Sequence, residues 1–286
     1  MTKVQEFFDP ATYTLTYVVW DPTSRDAVVI DPVWDYDPAA SKFTTKSSDR
    51  LIEFLKQSEL NIHFILETHA HADHVSAAQL VKQAFPKAVI AVGERIQAVQ
   101  QTFAPIFGFG PEFPVDGKQF DRLLKQNELV KAGTLELRTL FTPGHTPACS
   151  SYLFGDKVFT GDALFMPDYG TGRCDFPRGD AETLFESISS QLYTLPDSTV
   201  AYTGHDYQPG GRALAFSATI AEHKRINIHL SGTTTKEKFV TFRKERDKTL
   251  QAPRLLLPSV QINIDAGRLP AAHKNGKRYL SIPLFE

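Results

Sequence analysis

Cysteine is nearly absent from this chain of 286 residues, which contains only Cys149 and Cys174. Two cysteines cannot form the disulfide framework of a small secreted protein, so we expect a reducing, cytoplasmic environment. No apolar run approaches the roughly 20 residues that cross a bilayer. The first ten residues, MTKVQEFFDP, resemble neither a secretion signal nor a transit peptide. The sequence therefore predicts a protein that does not act inside a membrane.

An excess of charge of either sign is also lacking. The chain has 31 basic and 33 acidic residues and a formal net charge of −2. No overall field draws such a protein to nucleic acid or anionic lipid, and we expect neither partner. Hydrophobic residues make up 42% and charged residues 22%, which is typical of a globular protein with a buried core.

Strand-like and helix-like segments alternate along the chain. Strands are predicted at 12–20, 26–31, 61–68, 135–141, 157–162 and 199–206, and helices at 49–58, 75–84, 180–193, 213–230 and 235–250. This alternation indicates a layered α/β protein with helices outside two sheets. Functional groups that follow strands would then share one rim of the fold.

Neither a linker nor a repeat divides the sequence. We predict one domain over 1–286, with a first half at about 1–130, a second half at about 131–252 and a tail at about 253–286. Pro253, Pro258 and Pro270 favour a non-helical tail.

The run HAHADH at 69–74 is the strongest chemical signal. His69 and His71 are two residues apart, so in an extended backbone both face one centre. The turn into the next helix brings Asp73 and His74 round to the same side. Asp73 alone would more often be a helix cap.

Three further polar residues each follow a strand-like run and a glycine. They are His145 in TPGHT, Asp162 in FTGD and His205 in TGHD. Each one alone would usually be a hydrogen-bonded turn residue. Together with HAHADH they offer five imidazoles and two carboxylates, a ligand set that suits zinc, iron or manganese. His63, His223, His229 and His273 lack that context and are predicted to be structural or solvent-facing.

These segments, in this order across 12–206, resemble the metallo-β-lactamase superfamily. The resemblance implies an αβ/βα four-layer sandwich with a metal site at its rim. Members hydrolyse lactams, thioesters, phosphodiesters or lactones, usually with two metals, or carry out redox chemistry with iron. Fold membership therefore leaves the reaction open.

The segment after Asp162 narrows the resemblance. ALFMPDYGTGRCDFPRGDAETLFESI at 163–188 is similar to the persulfide dioxygenase branch, with its G-x-G-R-x-D-F pattern, and so are TPGHTPACSSY and GHDY. AHADHVSAAQL and the segment 94–124 look like its bacterial members with longer loops. Glyoxalase II, a related branch, would have an aromatic and acidic run where Asp175 and Phe176 stand, followed by a helical C-terminal domain.

The persulfide dioxygenase resemblance implies one Fe(II) per chain, held by His69, His145 and Asp162. Two histidines and a carboxylate on one face leave three positions open for substrate and dioxygen. The other polar residues would then surround a vacant second metal position: His71, Asp73, His74 and His205. The alternative is a dinuclear zinc thioester hydrolase of glyoxalase II type. An inert sensor is a third hypothesis, disfavoured because the full polar set is costly to keep buried.

By the same resemblance the substrates are glutathione persulfide and O2. Glutathione carries two carboxylates, so cationic or phenolic groups near the metal are expected: Arg173, Tyr207, Lys224 and Arg225. Arg173 could equally pair with Asp175 or Asp168, and a solvated helix face is favoured for Lys224 and Arg225. We also expect a homodimer.

Two features remain open. Cys149 is predicted to be buried packing, whereas Cys174, just after the Asp162 turn, could carry sulfur during turnover. The glycine- and aromatic-rich stretch 107–117 could cap the site or form a subunit contact.

Overall fold

The computed structural model describes residues 2–284. Within them the strands are β1 Lys3–Asp9, β2 Thr14–Trp20, β3 Asp26–Ile30, β4 Val33–Asp37, β5 Lys42–Thr44, β6 Asn61–Glu67, β7 Val75–Ser76, β8 Val89–Gly93, β9 Arg122–Leu124, β10 Leu129–Ala132, β11 Leu135–Phe141, β12 Ser150–Phe154, β13 Lys157–Phe159, β14 Val200–Tyr202 and β15 Ser217–Thr219. The α-helices are α1 Lys46–Gln57, α2 Ala78–Ala84, α3 Ile96–Ile106, α4 Ala181–Ser187, α5 Ile220–Ile226, α6 Lys236–Asp247 and α7 Leu256–Asn263.

Two six-stranded sheets form the centre of the molecule. The first has the order β1-β2-β3-β6-β8-β9, and its strands are parallel from β3 to β9. The second runs from β10 to β15 in chain order, with one parallel pair, β13 and β14. A small third sheet joins β5, β4 and β7.

Alternating side chains divide the interior into three cores. In β2, Tyr17 and Val19 face a core between the two large sheets, whereas Val18 faces a core shared with the first half's helices. The second sheet's other face packs against helices through residues such as Leu184 and Phe239. The order is therefore helices, sheet, sheet, helices, which confirms the predicted four-layer α/β sandwich.

Two of the predicted helices are wrong in extent. The segment 213–230 was expected to be helical throughout, but β15 occupies 217–219 and α5 begins only at Ile220. Thr219 caps α5 and exchanges hydrogen bonds with Glu222, so a capping box sets the start of the helix. The other case, 75–84, opens with the short strand β7 before α2.

The predicted non-helical tail is also wrong. Residues 256–263 form α7, with Pro258 in its first turn. A proline at that position is tolerated because the first N–H groups of a helix have no partner within it. Among residues 2–284, no helix is both long enough and apolar enough to cross a membrane.

Candidate metal centre

The carboxyl end of β6 places the HAHADH loop. Asp31, just after β3, accepts hydrogen bonds from the Thr68 backbone N–H (2.7 Å) and from Thr68 Oγ1 (2.8 Å). Thr68 Oγ1 in turn lies 3.0 Å from His69 Nδ1. These contacts engage Nδ1 of His69 and leave its Nε2 available as a metal ligand.

The second half of the chain contributes His145 and Asp162 to the same point. His145 Nδ1 lies 2.7 Å from the carbonyl oxygen of Arg173, so Nδ1 carries the proton and Nε2 keeps its lone pair. Nε2 lies 3.5 Å from Asp162 Oδ2. One ligand atom each from His69, His145 and Asp162 lie within 4.8 Å of one another. These three residues are the set that the resemblance implied for iron.

A second group lies beside the first. His71, Asp73 and His74 also offer ligand atoms within 4.8 Å of one another. His205 Nε2 lies 3.1 Å from Asp73 Oδ2 and 3.4 Å from Asp162 Oδ1. All seven residues predicted from the sequence are thus brought together.

His71 has a second environment that the sequence did not reveal. Its Nε2 lies 3.0 Å from Asp31 Oδ1 and 3.4 Å from Glu67 Oε2, and all three side chains are buried. Burial opposes the charged imidazole, but the Asp31 carboxylate outweighs it and raises the pKa of His71 well above its usual value.

A metal ion fits this donor set. Several buried polar atoms have no hydrogen-bond partner among the described residues, and they include His69 Nε2, His71 Nδ1, His74 Nε2, Asp73 Oδ2 and Asp162 Oδ1. Unpartnered polar atoms are costly in a protein interior unless something binds them. Burial also lowers the pKa of His69, which keeps its imidazole neutral and able to ligate. This chemistry suits a transition metal with nitrogen and oxygen ligands.

A cavity of about 550 Å³ opens onto Asp73, His145 and Asp162. Of the four predicted substrate residues, Arg173 and Tyr207 line it. Arg173 forms a two-pronged ion pair with Asp175, both distances being 2.5 Å, and also donates to the Gln251 carbonyl. Its guanidinium therefore orders its own loop as well as facing the cavity.

Lys224 and Arg225 are not brought to this cavity. Lys224 pairs with Asp197 at 2.6 Å, and Arg225 is exposed on α5 and is not among the lining residues. Two exposed arginines that were not predicted, Arg246 and Arg254, do line the cavity. Nothing in their sequence context distinguishes them from other surface arginines. His229, expected on a helix, lies beyond α5 and also faces the cavity.

The structure places both cysteines and the stretch 107–117 in the packed interior or against it. Cys149 and Cys174 are both buried, and burial raises the pKa of each thiol. Within 107–117, Phe107, Phe109 and Phe113 pack together against the helical core of the first half. None of the residues in this stretch is among those lining the 550 Å³ cavity.

Residues 9–205 match the family described as the metallo-beta-lactamase superfamily, so the match spans most of the chain and both halves of the site. The chain belongs to this superfamily.

Relatives of this superfamily member carry different names. A protein of Burkholderia pseudomallei called "Probable metallo-hydrolase" is 46% identical over 98% of both chains. "Glyoxylase B2" of Dictyostelium discoideum is 44% identical, over 99% of this chain and 97% of its own. "Persulfide dioxygenase ETHE1, mitochondrial" of Bos taurus is 30% identical over 92% of this chain and 88% of its own.

Among solved structures, ETHE1 from Myxococcus xanthus superposes with a TM-score of 0.74 and 30% identity. The match covers 93% of this chain and all of that one. The likeness extends well beyond the motifs, and it confirms both the predicted fold and the kinship with persulfide dioxygenases.

Proposed function

We propose that this protein is a mono-iron persulfide dioxygenase that oxidises glutathione persulfide with O2 to sulfite and glutathione. The observation that carries the proposal is the convergence of His69, His145 and Asp162, a group that does not include His71, whose Nε2 faces Asp31 and Glu67. A two-histidine, one-carboxylate set is the type used by non-haem iron oxygenases. The bovine relative named as a persulfide dioxygenase supports the same reading.

Iron held there would leave open positions for a persulfide sulfur and dioxygen side by side. The balanced reaction is GSSH + O2 + H2O → GSH + SO3²⁻ + 2H⁺. The terminal sulfur is oxidised, O2 is reduced, and the S–S bond breaks to release the thiol.

The residues of the chain itself would bind and shield the substrate. Arg246 and Arg254 face the cavity and can pair with the carboxylates of glutathione. Tyr169 and Tyr207 stack with ring centroids 4.7 Å apart, and Phe165 packs against both. These rings form an apolar wall next to Asp162 that limits the access of water to the reacting sulfur.

The test is anaerobic reconstitution of the metal-free protein, with either Fe(II) or Zn(II). The iron protein should consume O2 in an oxygen electrode when glutathione persulfide is added, with sulfite formed in equal amount. The zinc protein should consume none. Absence of oxygen uptake with iron, together with thioester hydrolysis by the zinc protein, would refute the proposal.

A dinuclear zinc thioester hydrolase is the second candidate. It is favoured by the second ligand group of His71, Asp73 and His74, and by the names of the 44–46% identical relatives. Two metals with a bridging hydroxide would then supply the nucleophile. Metal analysis separates the candidates, because one iron per chain supports the dioxygenase and two zinc ions per chain support the hydrolase. A nitric oxide adduct with the electron paramagnetic resonance spectrum of mononuclear iron would further support the dioxygenase. The cytoplasmic location and the homodimer stay predictions from the sequence.

A further inference from the structure

Helix α7 belongs to the interior of the first half, although it lies close to the end of the described chain. Val260, Ile262 and Ile264 on and just after it have no exposed surface. Val260 and Ile264 share the helical core with residues of β2, β6 and β8. Gln100 of α3 donates a hydrogen bond to the Ile264 carbonyl at 2.9 Å. The helix is therefore held rigidly against the elements that carry the HAHADH loop at 69–74, which we call the metal loop.

Asn263, the last residue of α7, forms hydrogen bonds to that loop and to Ser76 just after it, with both the NH2 group and the oxygen of its side-chain amide. Its Nδ2 donates to the carbonyl oxygens of His71 (2.9 Å) and His74 (2.8 Å). Its Oδ1 accepts from the backbone N–H of Ser76 at 2.9 Å. The side chain is 4% exposed, so all three bonds are sheltered from water. Both hydrogens of the amide and one lone pair of its oxygen are satisfied by three backbone groups within six residues of one another.

Beyond Thr68, whose backbone bonds to Asp31 and Ser150, only Asn263 forms hydrogen bonds to the backbone of the described residues 69–74. Residues 68–74 lie between β6 and β7 and belong to neither a strand nor a helix. A buried carbonyl without a partner is costly, so loop conformations that break the bonds to Asn263 are disfavoured. The amide thus holds the loop at His71 and His74, on both sides of Asp73.

The same amide also connects to the ring of His71. Ser76, whose N–H is bound by Asn263, donates its hydroxyl to Oε1 of Glu67. The other oxygen of Glu67 lies 3.4 Å from His71 Nε2. A displacement of Asn263 would therefore affect His71 by two routes. One is the His71 backbone carbonyl, and the other is the Glu67 carboxylate that faces the His71 ring.

We infer that Asn263 is a positioning residue of the metal centre, which sets the conformation of the HAHADH loop from the opposite end of the chain. It touches neither metal nor substrate and acts through the backbone of His71 and His74. The inference holds for one metal or two, because both arrangements draw ligands from this loop. Residues that support ligands in this way commonly affect metal affinity by 10- to 100-fold.

The chain offers a matched control on the same helix. Gln261 is as buried as Asn263, at 3% exposure, but its amide exchanges hydrogen bonds with Ser281 and not with the metal loop. Asn263→Ala and Gln261→Ala should both lower the midpoint of thermal unfolding of the metal-free protein. Only the first should alter the metal centre.

The experiment measures Co(II) binding to metal-free protein by competition with a coloured chelator, and records the visible absorption of the bound cobalt. For Asn263→Ala we expect a Kd at least tenfold higher and a changed cobalt spectrum, while Gln261→Ala keeps both within twofold of the wild type. Asn263→Asp, which keeps the size and the acceptor for Ser76 but loses both donors, should behave like Asn263→Ala and serves if the alanine variant does not fold. Wild-type affinity and spectrum in a folded Asn263 variant would overturn the inference. An equal loss of affinity in Gln261→Ala would do so too, because the effect would then belong to α7 as a whole. The experiment measures metal binding and not turnover. Its result therefore does not depend on whether the proposed dioxygenase activity is correct.

Discussion

Gly204 lies so close to Asp162 that a methyl group on its α carbon would stand 2.7 Å from Asp162 Oδ1 and 3.0 Å from the backbone of Gly161. The turn after β14 and the turn after β13 therefore fit together only because residue 204 has no side chain. Asp162 converges with His69 and His145, so this close approach positions a candidate ligand.

Gly204→Ala should consequently displace the Asp162 carboxylate. We expect at least a tenfold loss of Co(II) affinity, measured by chelator competition. Gly232→Ala is a suitable control, because a methyl group there would meet its nearest neighbour, the Lys224 carbonyl, at an ordinary 3.4 Å. If Gly204→Ala bound cobalt as tightly as Gly232→Ala, Asp162 would not be a ligand or would tolerate the shift.

Arg254→Ala should raise the KM for glutathione persulfide about tenfold with little change in kcat. Removing one charged hydrogen bond to a substrate carboxylate costs about 1.5 kcal/mol, and this contact lies away from the reacting sulfur. Arg225→Ala serves as the control, since Arg225 is also an exposed arginine but lies outside the cavity. Equal steady-state constants for both variants would remove Arg254 from the substrate site.

The two thiols should be inert in the folded protein. Burial raises the pKa of Cys149 to about 12 and raises that of Cys174 as well, so almost no reactive thiolate exists at pH 8. Iodoacetamide should modify the native chain at least 100-fold more slowly than free cysteine and modify two thiols per chain after unfolding. Cys174→Ser should retain full turnover. Rapid labelling of Cys174, or loss of turnover in the serine variant, would revive a sulfur-carrying role.

Asp26 should stabilise the fold in a pH-dependent way. Burial works against its charged form, but hydrogen bonds from His63, from the Thr134 N–H and from Asn61 outweigh it and lower the pKa of Asp26. Because the folded pKa lies below the unfolded value of about 4, the stabilisation is present above pH 4 and is lost as the pH falls below it.

Urea unfolding should therefore show Asp26→Asn to be about 2 kcal/mol less stable than wild type at pH 7, with the gap narrowing below pH 4. Asp156→Asn, which removes an exposed carboxylate paired with Lys157, should change stability by less than about 1 kcal/mol. A pH-independent gap for Asp26→Asn would assign the loss to packing.

The candidate metal centre could be predicted from the sequence because its candidate ligands follow strands. His69, His145 and Asp162 each follow a β-strand after a short connection, and the ends of those strands meet at one rim. The alternation of buried residues along β2 likewise follows from the period of a strand. Such local patterns are visible in a single sequence.

The contacts that were missed join distant parts of the chain. Asn263, Arg246 and Arg254 reach the site only because α6 and α7 fold back over it, and no spacing along the sequence reveals such a return. Glu67 was not recognised as a neighbour of His71, since its role depends on how the loop turns. By contrast, Thr219 and Glu222 have the spacing of a capping box, and that signal could have corrected the start of α5.

The bonds between Asn263 and the metal loop span 192 residues to His71 and 189 to His74. During synthesis the histidines emerge from the ribosome long before the amide that fixes their backbone has been made. At about 5–20 residues per second, that interval lasts on the order of ten seconds or more. Until then the hydrogen bonds from Asn263 to the backbone of His71 and His74 cannot form. The order of translation thus makes completion of the metal centre a late event in the folding of this protein.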